Sequence, residues 1–297
     1  MNLSPELDFL RPYKTELVRV GPRGDCGYVI PRHVVSTTRS LYSIGISTDW
    51  NFEIEMSKLN PGLTIEAFDR TSGWLVFAYT GLRDLLKGDP SDVEKQNLWL
   101  RLKSARKYFA LSLKSRVFFS GRRRFHRKWV RGAKAGRDEV SFHESLSGIH
   151  KRYPTMLKID IEGGEYQLVD GLLEHLTTHH KSINCIVMEL HDTQLMRAEF
   201  RKLVVGVSEF FPIVHIHGNN CAGVAGDGLP EVLEITFATA SAERGTCLLG
   251  FSSTTNAFSS SLVGLGASGV VFAGQTAGGY LNAIGVSAKM DMAFGTA

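Results

Sequence analysis

Five apolar runs in this chain end on residues that can hold a ligand or move a proton. Leu41-Tyr42-Ser43-Ile44 gives way to Gly45-Ile46-Ser47-Thr48-Asp49, and Leu63-Thr64-Ile65-Glu66-Ala67-Phe68 ends on Asp69. Met156-Leu157-Lys158-Ile159 ends on Asp160, with Ile161-Glu162-Gly163-Gly164-Glu165 directly after it. Two further runs end on His191-Asp192 and on His217-Gly218-Asn219-Asn220. Each type implies a chemistry. Gly45 lets backbone approach a ligand without a Cβ in the way. A carboxylate placed as Asp69 is can accept both hydroxyls of a ribose. Asp160 and Glu162, with His191, form a general acid–base set, and His191 is the first candidate base because its ordinary pKa lies near neutrality. His217, Asn219 and Asn220 are the residues expected to meet a substrate; His215 and His217 share one strand face.

Duller roles compete with these. Asp160 and Glu162 can cap a following helix, for about 1 kcal/mol each. His191 can simply bond a strand-end carbonyl. His175, His179 and His180 fit a helix C-terminus, where the dipole favours them, better than a metal site. No metal is expected; an ion gathered by Asp160, His191 and Asn219 is the alternative.

The elements that must position these residues follow from pattern. The apolar runs are separated by amphipathic stretches of ten or more residues, which implies βαβ crossovers and a mainly parallel α/β sheet with helices on both faces. Helices are expected at about 51–60, after 162 to about 175, and at about 193–210. Arg116-Val117-Phe118-Phe119-Ser120 reads as the third strand, after a long basic helical insertion. Ile213–His217 and Val232–Phe237 have no helix between them, so the last strand is expected to pair antiparallel. Ahead of the sheet, Leu17–Gly21 and Tyr28–Pro31 flank a Gly-rich turn and read as a hairpin. Three zones result: a hairpin extension over 1–40, a main domain over 41–240 with its insertion at 72–138, and a tail over 241–297.

Charge and composition narrow the classes further. The chain has 297 residues and a net charge of +4. Between Arg101 and Arg137 stand 14 Lys and Arg and no acid, so the remainder carries 20 bases against 30 acids, a net of −10. Such a block attracts phosphate, nucleic acid or an anionic membrane, or serves as a solvated helical face. Arg122–Trp129 interleaves cations with aromatics as single-strand binders do, but nothing else resembles a nucleic-acid module. The four cysteines are scattered, which excludes a disulfide framework or zinc knuckle. The first residues have neither a basic region nor an apolar run, so a cytoplasmic protein is expected. From residue 245 onward the chain is rich in Gly, Ser and Ala, with Lys289 and Asp291 its charges. Gln275, Thr276 and Asn282 make it too polar for a membrane span. Its literal G-x-G-x-x-G at 264–269 lies in a stretch rich in Gly, with no helical pattern directly after it to support a dinucleotide fingerprint.

One segment resembles a known family. Leu157-Lys158-Ile159-Asp160-Ile161-Glu162-Gly163-Gly164-Glu165-Tyr166 is similar to the most characteristic segment of the FkbM-type methyltransferases, bacterial branch. Leu41–Gly45 through Phe52-Glu53, Ala67–Thr71, Val187–Asp192, His215–Asn220 and Pro230–Glu234 resemble further parts of it. The likeness covers about residues 10–240. It implies a Rossmann-like class I methyltransferase fold, S-adenosyl-L-methionine as methyl donor, and a hydroxyl acceptor on a sugar, glycolipid or natural product; the basic block could hold an anionic acceptor such as a phosphorylated sugar or lipid. By position, Gly45, Ser47 and Asp49 would line the methionine end of the donor. Asp69 would hold its ribose, with Glu53 and Arg70 in the same site, and Asp160 would stand beside the sulfonium. The sequence departs from the family in having one Gly in the first loop, Cys26 in an early turn, and an unmatched tail. The competing class is a non-catalytic protein whose basic block docks nucleic acid or an anionic membrane, with nucleic acid disfavoured and membrane attachment weak.

Overall fold

A computed structural model describes residues 7–23, 27–86, 97–133, 136–147, 153–219 and 222–239, with four two-residue strands between 270 and 285. Asn220, Cys26, Cys221, Cys247 and the glycine-rich 264–269 segment lie outside the described residues.

The chain runs β1 (Leu17–Val20), β2 (Tyr28–Pro31), α1 (Arg32–Thr37), β3 (Ser40–Ile44), α2 (Asn51–Leu59), β4 (Thr64–Phe68) and α3 (Trp74–Leu86). It continues with α4 (Leu98–Phe118), β5 (Arg123–His126), β6 (Trp129–Arg131), β7 (Glu139–Ser141), α5 (Phe142–Leu146) and β8 (Thr155–Ile159). Then come α6 (Val169–His179), β9 (Ile183–Leu190), α7 (Arg197–Ser208), β10 (Ile213–Gly218) and β11 (Leu233–Ala238). Seven strands form one sheet in the order β10-β11-β9-β8-β3-β4-β5. The pairs from β5 through β9 are parallel, and β11 runs antiparallel to both its neighbours. This is a mainly parallel, Rossmann-like α/β sheet with antiparallel pairing at one end.

Burial on two faces explains why the central strands are continuously apolar. All eight residues of β9 and all five of β3 and β8 are buried. Alternate side chains serve opposite cores: Tyr42 and Ile44 pack with Leu172, Leu176, Phe200 and Leu203 from α6 and α7. Leu41 packs on the other face with Phe52 and Met56, an i, i+4 pair on α2. The hairpin β1–β2 covers that second face near β9, β11 and β10, where Thr236 Oγ1 donates to the Val29 carbonyl at 2.7 Å.

The third strand corrects the sequence reading. Residues 116–118 are the last turn of α4, and the strand is β5, Arg123–His126. Phe118 and Phe119 are apolar because they close the helix onto the core, not because they form sheet. β5 also lies within the 72–138 stretch expected to be an insertion, yet forms the sheet's edge. An aromatic ladder fastens the neighbouring helices: Trp50 lies 6.1 Å from Phe77 and 5.9 Å from Phe119, which lies 5.2 Å from Phe125. Where α3 meets α4, Gly81 leaves room for Phe109; a Cβ there would stand 3.2 Å from its ring.

Candidate active site

Strand order reverses between β3 and β8, because the chain builds outward to β4 and β5 on one side and then crosses to β8 on the other. The carboxyl ends of strands at such a reversal are where open sheets bind ligands. Here the backbones touch: the Asp160 amide donates to the Ile44 carbonyl at 3.1 Å. Gly45 has φ +81°, and a Cβ on it would stand 1.5 Å from the Asp160 carbonyl oxygen. Glycine is thus demanded first by the chain's own approach to itself.

Around this point the backbone is strained. Ser47 (φ 48°), Glu162 (φ 54°) and Asp192 (φ 50°) are the non-glycine residues of positive φ among the described residues. They follow β3, β8 and β9, three adjacent strands. Each such conformation costs roughly 1–2 kcal/mol and tends to collect at working sites.

Asp69 joins the rim in a role other than the one expected of it. Its Oδ2 accepts from the amides of Ile46 (3.1 Å) and Ser47 (2.6 Å). Its Oδ1 accepts from the Thr71 amide and hydroxyl, both at 2.6 Å. A carboxylate offers about four acceptor positions, and all are filled. At 8% exposure it clamps the loops after β3 and β4 and has no acceptor left for a ribose.

Three other residues assigned to a cofactor are likewise engaged by the protein. Asp49 takes the amide and side-chain nitrogen of Asn51 at 2.8 and 3.1 Å, at the entry to α2. Arg70 pairs with Asp138 at 2.8 Å and holds that carboxylate below its usual range, by the hydrogen bond first and its charge second. Glu53 is fully buried; its Oε1 accepts from Ser43 Oγ at 2.6 Å and lies 3.8 Å from Lys158 Nζ. It supports the rim from beneath.

Lys158 is the centre of that support. Its Nζ donates to the Gly45 carbonyl at 2.9 Å and lies 3.7 Å from Asp160 Oδ2. The Tyr28 hydroxyl donates to the same Asp160 oxygen at 2.9 Å. Burial, reinforced by the Asp160 charge, holds that phenol protonated well above its usual range, so it is a fixed donor. Asp160 therefore keeps one oxygen on Tyr28 and remains partly open to solvent.

His191 differs most from expectation. Its Nδ1 lies 3.0 Å from Oε1 of the fully buried Glu165, and its Nε2 lies 3.4 Å from Glu162 and 3.8 Å from Glu189. Burial works against its charge, but the Glu165 hydrogen bond and the charges of Glu165, Glu189 and Glu162 outweigh it and raise the pKa to about 9. At neutral pH the ring is an imidazolium and cannot take a proton. The base assignment made from its ordinary pKa is therefore corrected. Glu165 does more: Oε1 also accepts from the amides of Ile161 (3.0 Å) and Gly163 (3.2 Å), shaping the turn after β8. Asp160, Glu162 and His191 each offer a ligand atom within 4.8 Å of the others, a spacing a small cation accepts. Without a cation, Glu162 and His191 form an ion pair within this group.

Asn219 reaches this group through Glu189, donating to its Oε1 at 3.0 Å. His217 does not join it; it sits on edge strand β10 opposite Glu234, with β11 between it and β9. His215 beside it is buried and held neutral, pushed down to about 3 by burial first, then by His217 and Arg19.

Tyr28, Lys158, Glu165 and Glu189 are residues to which sequence reasoning assigned no role. Lys158 carried a signal, since a lysine inside an apolar buried strand requires a partner. Each of the other three has a partner 25 or more residues away: Asp160 for Tyr28, His191 for Glu165 and Asn219 for Glu189.

No protein family model matches the chain, and no curated protein matches it. Among solved structures, it is similar to precorrin-6y C5,15-methyltransferase from Geobacter metallireducens GS-15: 15% identity over 69% of this chain and 82% of that one, TM-score 0.33. The METTL16 MTase domain gives 10%, 71%, 63% and 0.37, and human methyltransferase 10 domain containing protein 10%, 69%, 74% and 0.36. The chain thus spans less than two thirds of the METTL16 domain. Likeness at this level adds nothing to the strand order described above.

Proposed function

We propose that this chain is an S-adenosylmethionine-dependent methyltransferase acting on a hydroxyl of a sugar, glycolipid or natural product. The observation that carries the reading is the convergence of Gly45, Ser47, Asp160, Glu162 and Asp192 on the carboxyl rim of β3, β8 and β9, where strand order reverses. The donor set there suits a cation: Asp160, Glu162 and Glu189 are carboxylates gathered around one imidazolium. That chemistry fits a sulfonium, and Asp160 with the backbone of Gly45 and Ser47 would hold the methionine end. Bound there, S-adenosylmethionine supplies an electrophilic methyl group for in-line displacement by oxygen.

The chain's own residues do the remaining work. Tyr28 and Lys158 fix the Asp160 carboxylate, so its charge is in place before any ligand arrives. Glu162, with its side chain 86% exposed, is the carboxylate able to meet an acceptor hydroxyl and receive its proton. His191 stays charged and orients Glu162. Alignment of this kind contributes about 7–11 kcal/mol to such reactions, and a placed base a further 10²–10⁴-fold or so.

Calorimetry with S-adenosylmethionine and its neutral product, S-adenosylhomocysteine, tests this. Wild type is expected to bind both saturably. Asp160→Asn is expected to keep its melting temperature but to lose about tenfold of its preference for the sulfonium, since a carboxylate facing a cation has been neutralised. Absence of binding would refute the proposal, and an unchanged preference would remove Asp160 from the methyl centre.

A further inference from the structure

Eleven of the 18 exposed large apolar side chains among the described residues lie on α3 and α4. Two helices out of seven thus hold most of the apolar surface the fold leaves uncovered. Its arrangement is ordered. On α3, Leu75, Leu82 and Leu86 follow i, i+7, i+11 spacing, away from the buried Phe77, Gly81 and Asp84. On α4, Leu102 and Leu113 stand exposed in a second stripe, with Phe109 between them partly exposed and partly against Gly81. Lys103, Lys107 and Lys114 share the next strip of α4 at i, i+4, i+11 and flank those apolar residues. They belong to the block of 14 cations without an acid between Arg101 and Arg137.

We propose that the α3–α4 hairpin seats this protein on an anionic membrane surface. Apolar side chains enter the headgroup boundary while long lysine stems carry their charges up to lipid phosphates. The surface chemistry selects this occupant. Seven of the eleven are aliphatic and offer no face for base stacking, so a polynucleotide would leave most of the stripes wet. A second copy would bring two blocks of like charge together. The attachment is interfacial: no helix among the described residues is long and apolar enough to cross a membrane. A cleft of about 600 Å³ adjoins the docking face, with Leu113 and Val117 on one side and Thr48 and Asp49 of the loop after β3 on the other. It gives a membrane-borne acceptor a route toward the rim. That last link rests on the methyl-transfer reading; the docking does not.

Cosedimentation of the full-length protein with vesicles tests it, using phosphatidylcholine alone or in roughly equal parts with phosphatidylserine. Binding is expected to the anionic vesicles and to weaken with salt. Lys103→Gln with Lys107→Gln is expected to reduce it about 25-fold, near fivefold per cation. Leu75→Ser, Leu82→Ser and Leu102→Ser together should reduce it by on the order of tenfold per leucine, even at high salt. All five positions are exposed, and both variants should melt as wild type does. No binding to the anionic vesicles would overturn the proposal, as would binding indifferent to both variants. Two further results would do the same: a leucine-dependent dimer that ignores lipid, or tight polynucleotide binding with none to vesicles. Loss of S-adenosylmethionine binding alone would leave the vesicle result standing, which separates the two proposals.

Discussion

At the scale of single residues, His191 links structure to pH. Its folded pKa of about 9 lies above the ordinary value of 6.5, so the folded state binds the proton more tightly than the unfolded chain does. The resulting stability is fully present below about pH 6.5 and disappears as pH rises through about 9. Because one edge of the ring group is open to solvent, its worth is on the order of 1 kcal/mol. Urea unfolding at pH 6 and pH 10 is expected to show this loss in wild type, and His191→Gln should flatten it. Equal slopes in the two proteins would show that Glu165 and its neighbours do not hold the proton. The same residue shows what sequence could convey. The spacing of apolar runs put His191 at a strand end, and the structure places it there. Its charge state depends on Glu165 and Glu162, brought beside it by the turn after β8, and no spacing rule gives that.

At the scale of elements, Asp69 is the tie between two strand–loop junctions. Its four accepted hydrogen bonds run to Ile46 and Ser47 after β3 and to Thr71 after β4. Asp69→Ala leaves these amides to find water in a buried setting, at a cost of about 3 kcal/mol. The expected outcome is a lower urea midpoint with an unchanged m-value; near-wild-type stability would mean the loops hold without their clamp. Any loss of donor affinity in this variant should scale with that destabilisation. A strand-end acid was legible in the sequence, because an apolar run stopping on Asp is visible. What satisfies the carboxylate was not. β5 shows the complementary difficulty. As an edge strand paired to β4 alone it tolerates Arg123, Arg124 and His126, so it lacks the apolar run that marks its buried neighbours. The aromatic end of α4, buried for helical reasons, supplied a false one. Strands buried on both faces were readable because burial leaves them no polar positions.

At the scale of the whole molecule, the question is how much of the chain the fold needs. Both core clusters draw every buried member among the described residues from between Leu7 and Ala238. The seven-stranded sheet closes with β11, which ends at Ala238. A chain cut after residue 244 therefore keeps every buried core member among the described residues, and tolerance of truncation follows burial more than position. The cut chain is expected to unfold cooperatively at the midpoint of the full protein. Ligand linkage extends the test to function, because a ligand binding the native state stabilises it by mass action, about 2.7 kcal/mol at a hundredfold excess over its dissociation constant. In a chain of this size that corresponds to a rise of roughly 5–10 °C. S-adenosylmethionine should produce such a rise in both the full and the cut protein, since the rim of β3, β8 and β9 is common to them. NAD should produce none in either, because the only G-x-G-x-x-G run in the sequence lies at 264–269, with no helical pattern directly after it to support a dinucleotide site. A shift with NAD that vanished on truncation would reverse that argument and move the nucleotide site into the tail. Insolubility of the cut protein would instead place part of the structural core beyond Ala238.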